Sequence, residues 1–174
     1  EAGETPHIDF MTPIGALAFW PIVAFLKTGI GVGSAIVWGQ IAVALAILPA
    51  VFWAGFSRLP GILAGFFGAV VLILVLAMVH GEADRLVSIS MHYNRWAWAL
   101  AYVAVVVAAL PPVHARSRLA DGLVLGLAMA GILLIKVTYF VAFAPAVLIA
   151  LLVRRDYRAL GIAGVTGLAV AALV

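Results

Sequence analysis

Long apolar runs separated by short polar breaks form the main pattern along the chain. The windows 34–56 and 61–79 contain no ionised side chain. Each has roughly the 20 residues that a helix needs to cross about 30 Å of hydrocarbon. Both are apolar on every face and rich in Gly and Ala, whereas the strands of a membrane barrel alternate apolar and polar positions. We therefore predict that both windows are transmembrane α-helices.

Polar or proline-containing breaks divide the rest of the chain into further helices. The windows 94–110 and 160–174 predict two more membrane helices. The apolar stretch 13–27 is shorter and is interrupted by Pro21, so we expect a juxtamembrane helix in the interface rather than a full crossing. Residues 1–12 are polar and are expected to form an extracytoplasmic loop.

Lys136 decides how the long apolar segment 122–153 is interpreted. A single helix would place its ammonium near the bilayer centre, at a cost of about 2.5 to 3.5 kcal/mol on insertion scales. Two helices, 122–136 and 138–153, place the charge at a membrane interface instead, and this is the prediction. A single tilted helix whose lysine extends to the interface is the alternative.

The composition is that of a membrane protein. Hydrophobic residues make up 67% of the chain and charged residues 10%, and a soluble domain of this size cannot bury so much apolar surface. The predicted fold class is an all-α, polytopic transmembrane helix bundle, one domain over 1–174 with a short interfacial helix near its N-terminus. Cysteine is absent, which excludes disulfides and thiol catalysis. A net charge of +3 requires no nucleic-acid partner.

Basic residues in the short loops predict the orientation, because Lys and Arg in such loops stay on the cytoplasmic side. The arginines that share one face, expected to be cytoplasmic, are Arg58, Arg116, Arg118, Arg154, Arg155 and Arg158. The opposite face receives Lys27, Arg85, Arg95 and Lys136. It therefore gathers the N-terminal loop, the loop 80–95 and the turn at Lys136, and the candidate chemistry is sought there.

Histidine spacing gives no sign of a metal site, and glycine spacing favours helix packing. No two histidines have the i, i+3 or i, i+4 spacing of a helical ligand pair, so no metal is expected. Gly61, Gly65 and Gly68 lie on one predicted helix and Gly122 and Gly126 on another. Both sets predict close approach of a neighbouring helix.

The N-terminal loop carries a dense set of turn residues around a carboxylate. Its pattern is Gly3-x-x-Pro6-His7-x-Asp9-Phe10-x-Thr12-Pro13-x-Gly15. This pattern resembles the first extracytoplasmic loop of polytopic GT-C superfamily glycosyltransferases, the group that contains protein O-mannosyltransferases and the lipid A aminoarabinose transferase. The run from Gly126 through 134–139 to Pro145 resembles a hairpin that recurs in these proteins. The resemblance implies a first helix upstream of Glu1, so we expect the chain to be an N-terminal fragment of a longer protein.

The resemblance implies an enzyme, a multi-pass protein of the bacterial inner membrane that transfers a sugar from a polyprenyl-phosphate donor at the outer face. In that reaction a carboxylate takes the proton of the acceptor hydroxyl, the role implied for Asp9. Cations hold the departing lipid phosphate. The candidate substrate-binding residues are Arg95, Lys136, Arg85 and His7. The expected partners are membrane lipid and the polyprenyl-phosphate-linked sugar, and no cofactor is implied.

The residues alone leave other interpretations open. Asp9 could cap the juxtamembrane helix, and Arg95 could anchor a headgroup boundary beside Trp96 and Trp98. The chain could be a non-enzymatic subunit that packs with partner proteins in a larger membrane complex. It could also be a transporter, which we disfavour because the spans carry almost no ionisable residues. An enzyme should gather Asp9, Arg95 and Lys136 around a lipid-accessible cavity, whereas a packing subunit should scatter them.

Overall fold

The computed structural model describes residues 14–77 and 89–173, and for residues 89 and 90 it describes the backbone alone. This part of the chain is helical and contains no strand. A short 3-10 turn, Ala16–Ala18, precedes the helices, which are α1 Trp20–Leu26, α2 Val32–Arg58, α3 Gly61–Leu76, α4 Ile89–Ala109, α5 Arg118–Ile135, α6 Val137–Val153 and α7 Tyr157–Ala172. The all-α prediction is confirmed for these residues, and the predicted loop 1–12 lies outside them.

Local sequence explains where α5 and α7 begin. The hydroxyl of Ser117 accepts a hydrogen bond from the backbone N–H of Ala120 at the start of α5 (3.2 Å). The carboxylate of Asp156 accepts one from Ala159 at the start of α7 (3.4 Å). Such N-caps satisfy backbone donors that have no partner inside the helix. Lys136 has an extended backbone (φ −163°, ψ 113°) and separates α5 from α6, so the single-helix alternative for 122–153 is wrong.

The observed helices differ from the predicted windows mainly at their ends. α2 extends the window 34–56 by two residues at each side. α3 ends at Leu76, before the predicted end at 79. α4 starts at Ile89, earlier than the predicted 94, because polar residues that suggested a loop are instead part of its first turns.

α4 lies at the centre of the packed helices. It contacts α2 and α3 as well as α5 and α6. Its buried positions are mainly small, and Ala97, Val103, Ala104 and Val107 are almost completely shielded from solvent. Small side chains allow neighbouring helices to approach closely, which explains how one helix can contact four others.

Glycines make the contact between α5 and α7. A methyl group added at Gly122 would lie 2.5 Å from Cβ of Ile162, and one added at Gly126 would lie 2.7 Å from the carbonyl oxygen of Ala163. Both distances are too short for a real side chain, so the predicted close packing is confirmed here. Because the contacts advance together along both chains, α5 and α7 run in the same direction.

The glycines of α3 behave differently from this prediction. A methyl group at Gly61 or Gly65 would meet nothing within 4 Å, and one at Gly68 would meet only a side chain of Val51 at 3.8 Å. Within the part of the chain that is described, no helix packs closely against Gly61 or Gly65, so the expectation that these glycines permit close packing stays a prediction. Glycine spacing marks a face that permits close approach but does not supply the neighbour.

Two of the described helices are long and apolar enough to cross a membrane. These are α2, with 27 residues, and α5, with 18. α3, α6 and α7 are apolar but shorter. Length and composition thus give some support for membrane association, while several crossings remain a prediction.

Replacing Gly126 by alanine should destabilise the protein, since the new methyl group overlaps the carbonyl oxygen of Ala163. We expect a loss of about 1 to 3 kcal/mol, the usual cost of overpacking. Gly65→Ala is the matched control, because open space surrounds that position and alanine is the better helix former. Unfolding of both variants in detergent micelles measures the difference, and an equal effect at the two positions would contradict the assigned α5–α7 contact.

Candidate functional site

Lys136 lies at one end of the molecule, which we call the Lys136 end, where α5 gives way to α6. Its Nζ is 5.9 Å from the ring centroid of Tyr93 on α4 and 5.4 Å from that of Tyr139 on α6. These distances allow cation–π interactions with both rings. Among the described residues no carboxylate forms an ion pair with Lys136. The ammonium is therefore held by aromatic faces and retains its capacity to bind an anion.

The residues before α1 dock against the same end. The backbone N–H of Gly15 donates to the carbonyl of Ile135 (2.9 Å), and a methyl group at Gly15 would lie 2.0 Å from the carbonyl oxygen of Leu134. Phe19 meets the ring of Tyr93 edge to face at 6.2 Å. Gly15, part of the family-like pattern, is thus required for the close approach of this segment to the last turn of α5.

Arg95 also lies at the Lys136 end, but on another side of α4. Its Nη1 donates to the carbonyl of Ala77 just after α3 (2.6 Å), and its Nε donates to that of Met91 (3.1 Å). Arg95 follows Tyr93 by two residues, which is more than half a helical turn. The structure therefore brings Arg95 and Lys136 to one end without giving them a shared set of contacts. Asp9, His7 and Arg85 lie outside the described residues.

An apolar groove lies along α5 and α6, the two helices that Lys136 joins. It has a volume of about 260 Å³ and lies between α5, α6 and α7. Leu133 and Phe140, one turn before and one turn after Lys136, line its near end, and Leu151 and Leu160 line its far end. Lys136 itself is not among the lining residues, and its ammonium lies over the rings of Tyr93 and Tyr139.

A buried ion pair lies at the opposite end of the molecule, which we call the Arg58 end. Arg58 Nη2 on α2 is 2.6 Å from Asp121 Oδ2 on α5, and both side chains are almost fully buried. The indole Nε1 of Trp53 donates to Asp121 Oδ1 (2.8 Å). Arg58 also donates to the hydroxyl of Ser57 (2.9 Å). The partners compensate the cost of removing both charges from water.

Arg154 also lies at the Arg58 end, where its guanidinium caps the C-terminus of α4. Its Nη1 donates to the carbonyls of Val107, Ala108 and Leu110, each at 2.9 Å. The last carbonyls of a helix have no partner within it, and a guanidinium complements the negative end of the helix dipole. Arg118 lies 3.6 Å from Asp156 at this end. The structure thus gathers Arg58, Arg118 and Arg154 away from Lys136.

Sequence reasoning missed Asp121, His92 and Gln40. Asp121 was overlooked because it lies one residue before the apolar window 122–153, although a lone carboxylate at the edge of such a run needs a cation nearby. Gln40 and His92, both almost completely buried, form a side-chain hydrogen bond between α2 and α4. Their signal was equally available, since a polar residue inside an apolar run needs a partner.

Metal-ligating side chains are not clustered in the described part of the chain. Within residues 14–77 and 89–173 no group of three His, Asp or Glu side chains is arranged to hold a metal ion. The chain matches no known protein family, and it has no match among curated proteins or solved structures.

Asp121→Asn should destabilise the protein by about 3 to 5 kcal/mol, because the variant leaves the buried Arg58 guanidinium without its compensating charge. Asp156→Asn is the matched control. Asparagine caps a helix as well as aspartate does, and the ion pair lost there involves a partly exposed arginine. Denaturant unfolding in detergent micelles provides the free energies.

A double variant tests the reason for that loss. Arg58→Met combined with Asp121→Leu removes both charges and should recover most of the stability, as buried ion pairs can be replaced by apolar side chains. If the double variant is no more stable than Asp121→Asn, the ion pair is not what stabilises this end.

Proposed function

We propose that the chain belongs to a polytopic protein of the bacterial inner membrane and acts as a glycosyltransferase that uses a polyprenyl-phosphate-linked sugar. One observation supports this more than any other. Lys136 has no carboxylate partner among the described residues and joins α5 to α6, the two helices whose Leu133 and Phe140 line the apolar groove. In the proposed complex its ammonium holds the lipid phosphate, which carries negative charge as the sugar leaves.

The proposed orientation puts the Lys136 end at the outer face of the membrane. The Arg58 end, with Arg154 and Arg118, is then cytoplasmic, in accord with the preference of basic residues for that side. Arg95 lies at the same end as Lys136 but on another side of α4, and it is proposed to contact substrate separately from Lys136. Asp9 is the proposed base, and Arg85 and His7 are proposed to contact substrate.

A packing subunit is the second candidate, and a separate observation favours it. A groove of about 450 Å³ lies between α2 and α3, lined by Phe52, Phe56 and the open glycines of α3. Its lining leaves room for a helix of another membrane protein. This function requires no chemistry at Lys136, so the two candidates differ in what happens when that charge is removed.

Lys136→Met should weaken use of the lipid donor, because the variant removes the cation that holds the phosphate. Hydrogen bonds to charged groups contribute about 1.5 to 3 kcal/mol, so we expect KM for the polyprenyl-phosphate sugar to rise roughly tenfold to a hundredfold. Lys136→Arg keeps the charge and should lose much less. Lys27→Met, at an exposed lysine, is the control and should behave as the unmodified protein. Radiolabelled sugar transfer by the full-length protein in liposomes is the measurement, and full activity in Lys136→Met would favour the packing subunit.

Asp9→Asn separates a catalytic role for this residue from a structural one. Asparagine caps a helix about as well as aspartate but cannot accept a proton as a general base, which typically contributes 10² to 10⁴ in rate. We expect normal membrane insertion and stability with a loss of at least about a hundredfold in kcat. Transfer that continues at the original rate would remove Asp9 from the mechanism.

A further inference from the structure

Positive charge is in excess at the Arg58 end. The described residues include only two acids, Asp121 and Asp156, and both already have a cation. Asp121 pairs with Arg58, and Asp156 lies 3.6 Å from Arg118. The arginines of this end that lack an acidic partner within residues 14–77 and 89–173 are Arg116, Arg154, Arg155 and Arg158. An anion from outside this part of the chain is needed to balance them.

The arginines come from two segments that meet. The ion pair between Arg118 and Asp156 joins the start of α5 to the turn between α6 and α7. Burial lowers the pKa of Arg154, and the positive charges of Arg58 and Arg116 lower it further. Because such effects fall off with distance, Arg116 must lie near Arg154 and the turn that follows it.

Three of these arginines are exposed, namely Arg116, Arg155 and Arg158, and we call them the arginine surface. Arg158 lies in the first turn of α7, where the positive end of the helix dipole disfavours a cation and favours an anion. The arginine surface is therefore open to a ligand, unlike the enclosed Arg58.

Arg155 has a backbone conformation that glycine adopts more easily. Its φ is +53°, and no other described residue except a glycine has a positive φ. The N–H groups of Arg155 and Asp156 donate to the carbonyls of Leu152 and Leu151, both at 3.0 Å. Many helices end with this pattern of hydrogen bonds, and glycine is usual at the position that Arg155 holds.

Backbone geometry thus gives no reason for an arginine at position 155. A residue with a side chain is strained in the left-handed conformation, and the exposed side chain of Arg155 makes no hydrogen bond or ion pair within the described residues. Strained residues of this kind concentrate at functional sites. The charge of Arg155 is what distinguishes it from the glycine that the turn favours.

Exposed apolar side chains lie beside the arginine surface. Val153 is 77% exposed and Tyr157 is 62% exposed, two residues before and two residues after Arg155. Large apolar side chains that are exposed together mark a surface that contacts a partner or a membrane, and tyrosine is enriched where lipid headgroups meet hydrocarbon. Arginines between such side chains fit a lipid boundary better than they fit open water.

We propose that the arginine surface binds the phosphate groups of anionic phospholipids in the cytoplasmic leaflet, with Arg155 as a direct contact. A guanidinium matches phosphate oxygens in both charge and geometry, and the anionic cytoplasmic leaflet attracts basic segments. The proposal rests on the membrane location and orientation proposed above, and it does not depend on sugar transfer.

Arg155→Gly tests the contact because it removes the charge and the backbone strain together. The protein is placed in nanodiscs of phosphatidylcholine with phosphatidylglycerol, and the lipid that remains bound after transfer to detergent is counted by native mass spectrometry. Retained phosphatidylglycerol should fall about fivefold, the usual contribution of one arginine near an anionic surface. The melting temperature in the same detergent should not fall, since glycine adopts this conformation without strain.

Lys27→Gln is the matched control, because it removes one exposed positive charge before α2 and should leave retention unchanged. Equal losses in Arg155→Gly and Lys27→Gln would overturn the proposal, since the lipid would then respond to net charge alone. A lower melting temperature in Arg155→Gly would also overturn it, by giving the arginine a structural role.

A triple variant, Arg116→Gln with Arg155→Gly and Arg158→Gln, should lose most of the retained lipid, and unchanged retention there would contradict the whole surface. Glycerophosphoglycerol, the deacylated headgroup, should not displace the lipid when added at the same concentration. Displacement would assign the surface to a soluble anion instead. Neither measurement involves sugar transfer, so the result for Lys136→Met and this result can fail separately.

Discussion

The free-energy cost of removing charge from water is the constraint on which the arrangement of these helices depends. Each buried charge is met by partners from other helices, as when Asp121 receives both a guanidinium and an indole N–H. The charges also mark helix ends, since Asp121 lies in the first turn of α5, Lys136 follows its last residue and Arg154 follows the last residue of α6. A few ionised groups in a very apolar chain therefore fix both where helices end and which helices meet.

α4 separates two polar environments that lie within one helical turn of each other. Tyr93 supports Lys136 on the side of α5 and α6, while His92 faces α2. The separation follows from helical geometry, because adjacent residues point about 100° apart. An alteration on one side of α4 can therefore leave the contacts on the other side intact.

The apolar pattern predicted the helices well because each apolar run must be buried or lie in lipid whatever its neighbours are. The break at Lys136 was also predictable, since it followed from the cost of one charge. Which helices would become neighbours could not be predicted. Gly65 and Gly126 both lie in apolar, glycine-containing runs, but only Gly126 packs against another helix. The contacts of Arg95 could not be predicted from the sequence for the same reason. Its position along the chain placed it at the correct end, but the direction of its side chain depends on which side of α4 meets α3.

The parallel contact between α5 and α7 also has a consequence for biosynthesis. Two parallel helices close in sequence can meet only after the chain between them has reversed direction, and here α6 performs that reversal. The side of α5 that carries Gly122 and Gly126 therefore stays without its neighbour until the ribosome has made α7, which supplies Ala163 and Gly167. During that interval α5 exposes a surface suited to close helix contact, and only the synthesis of α7 covers it within this chain.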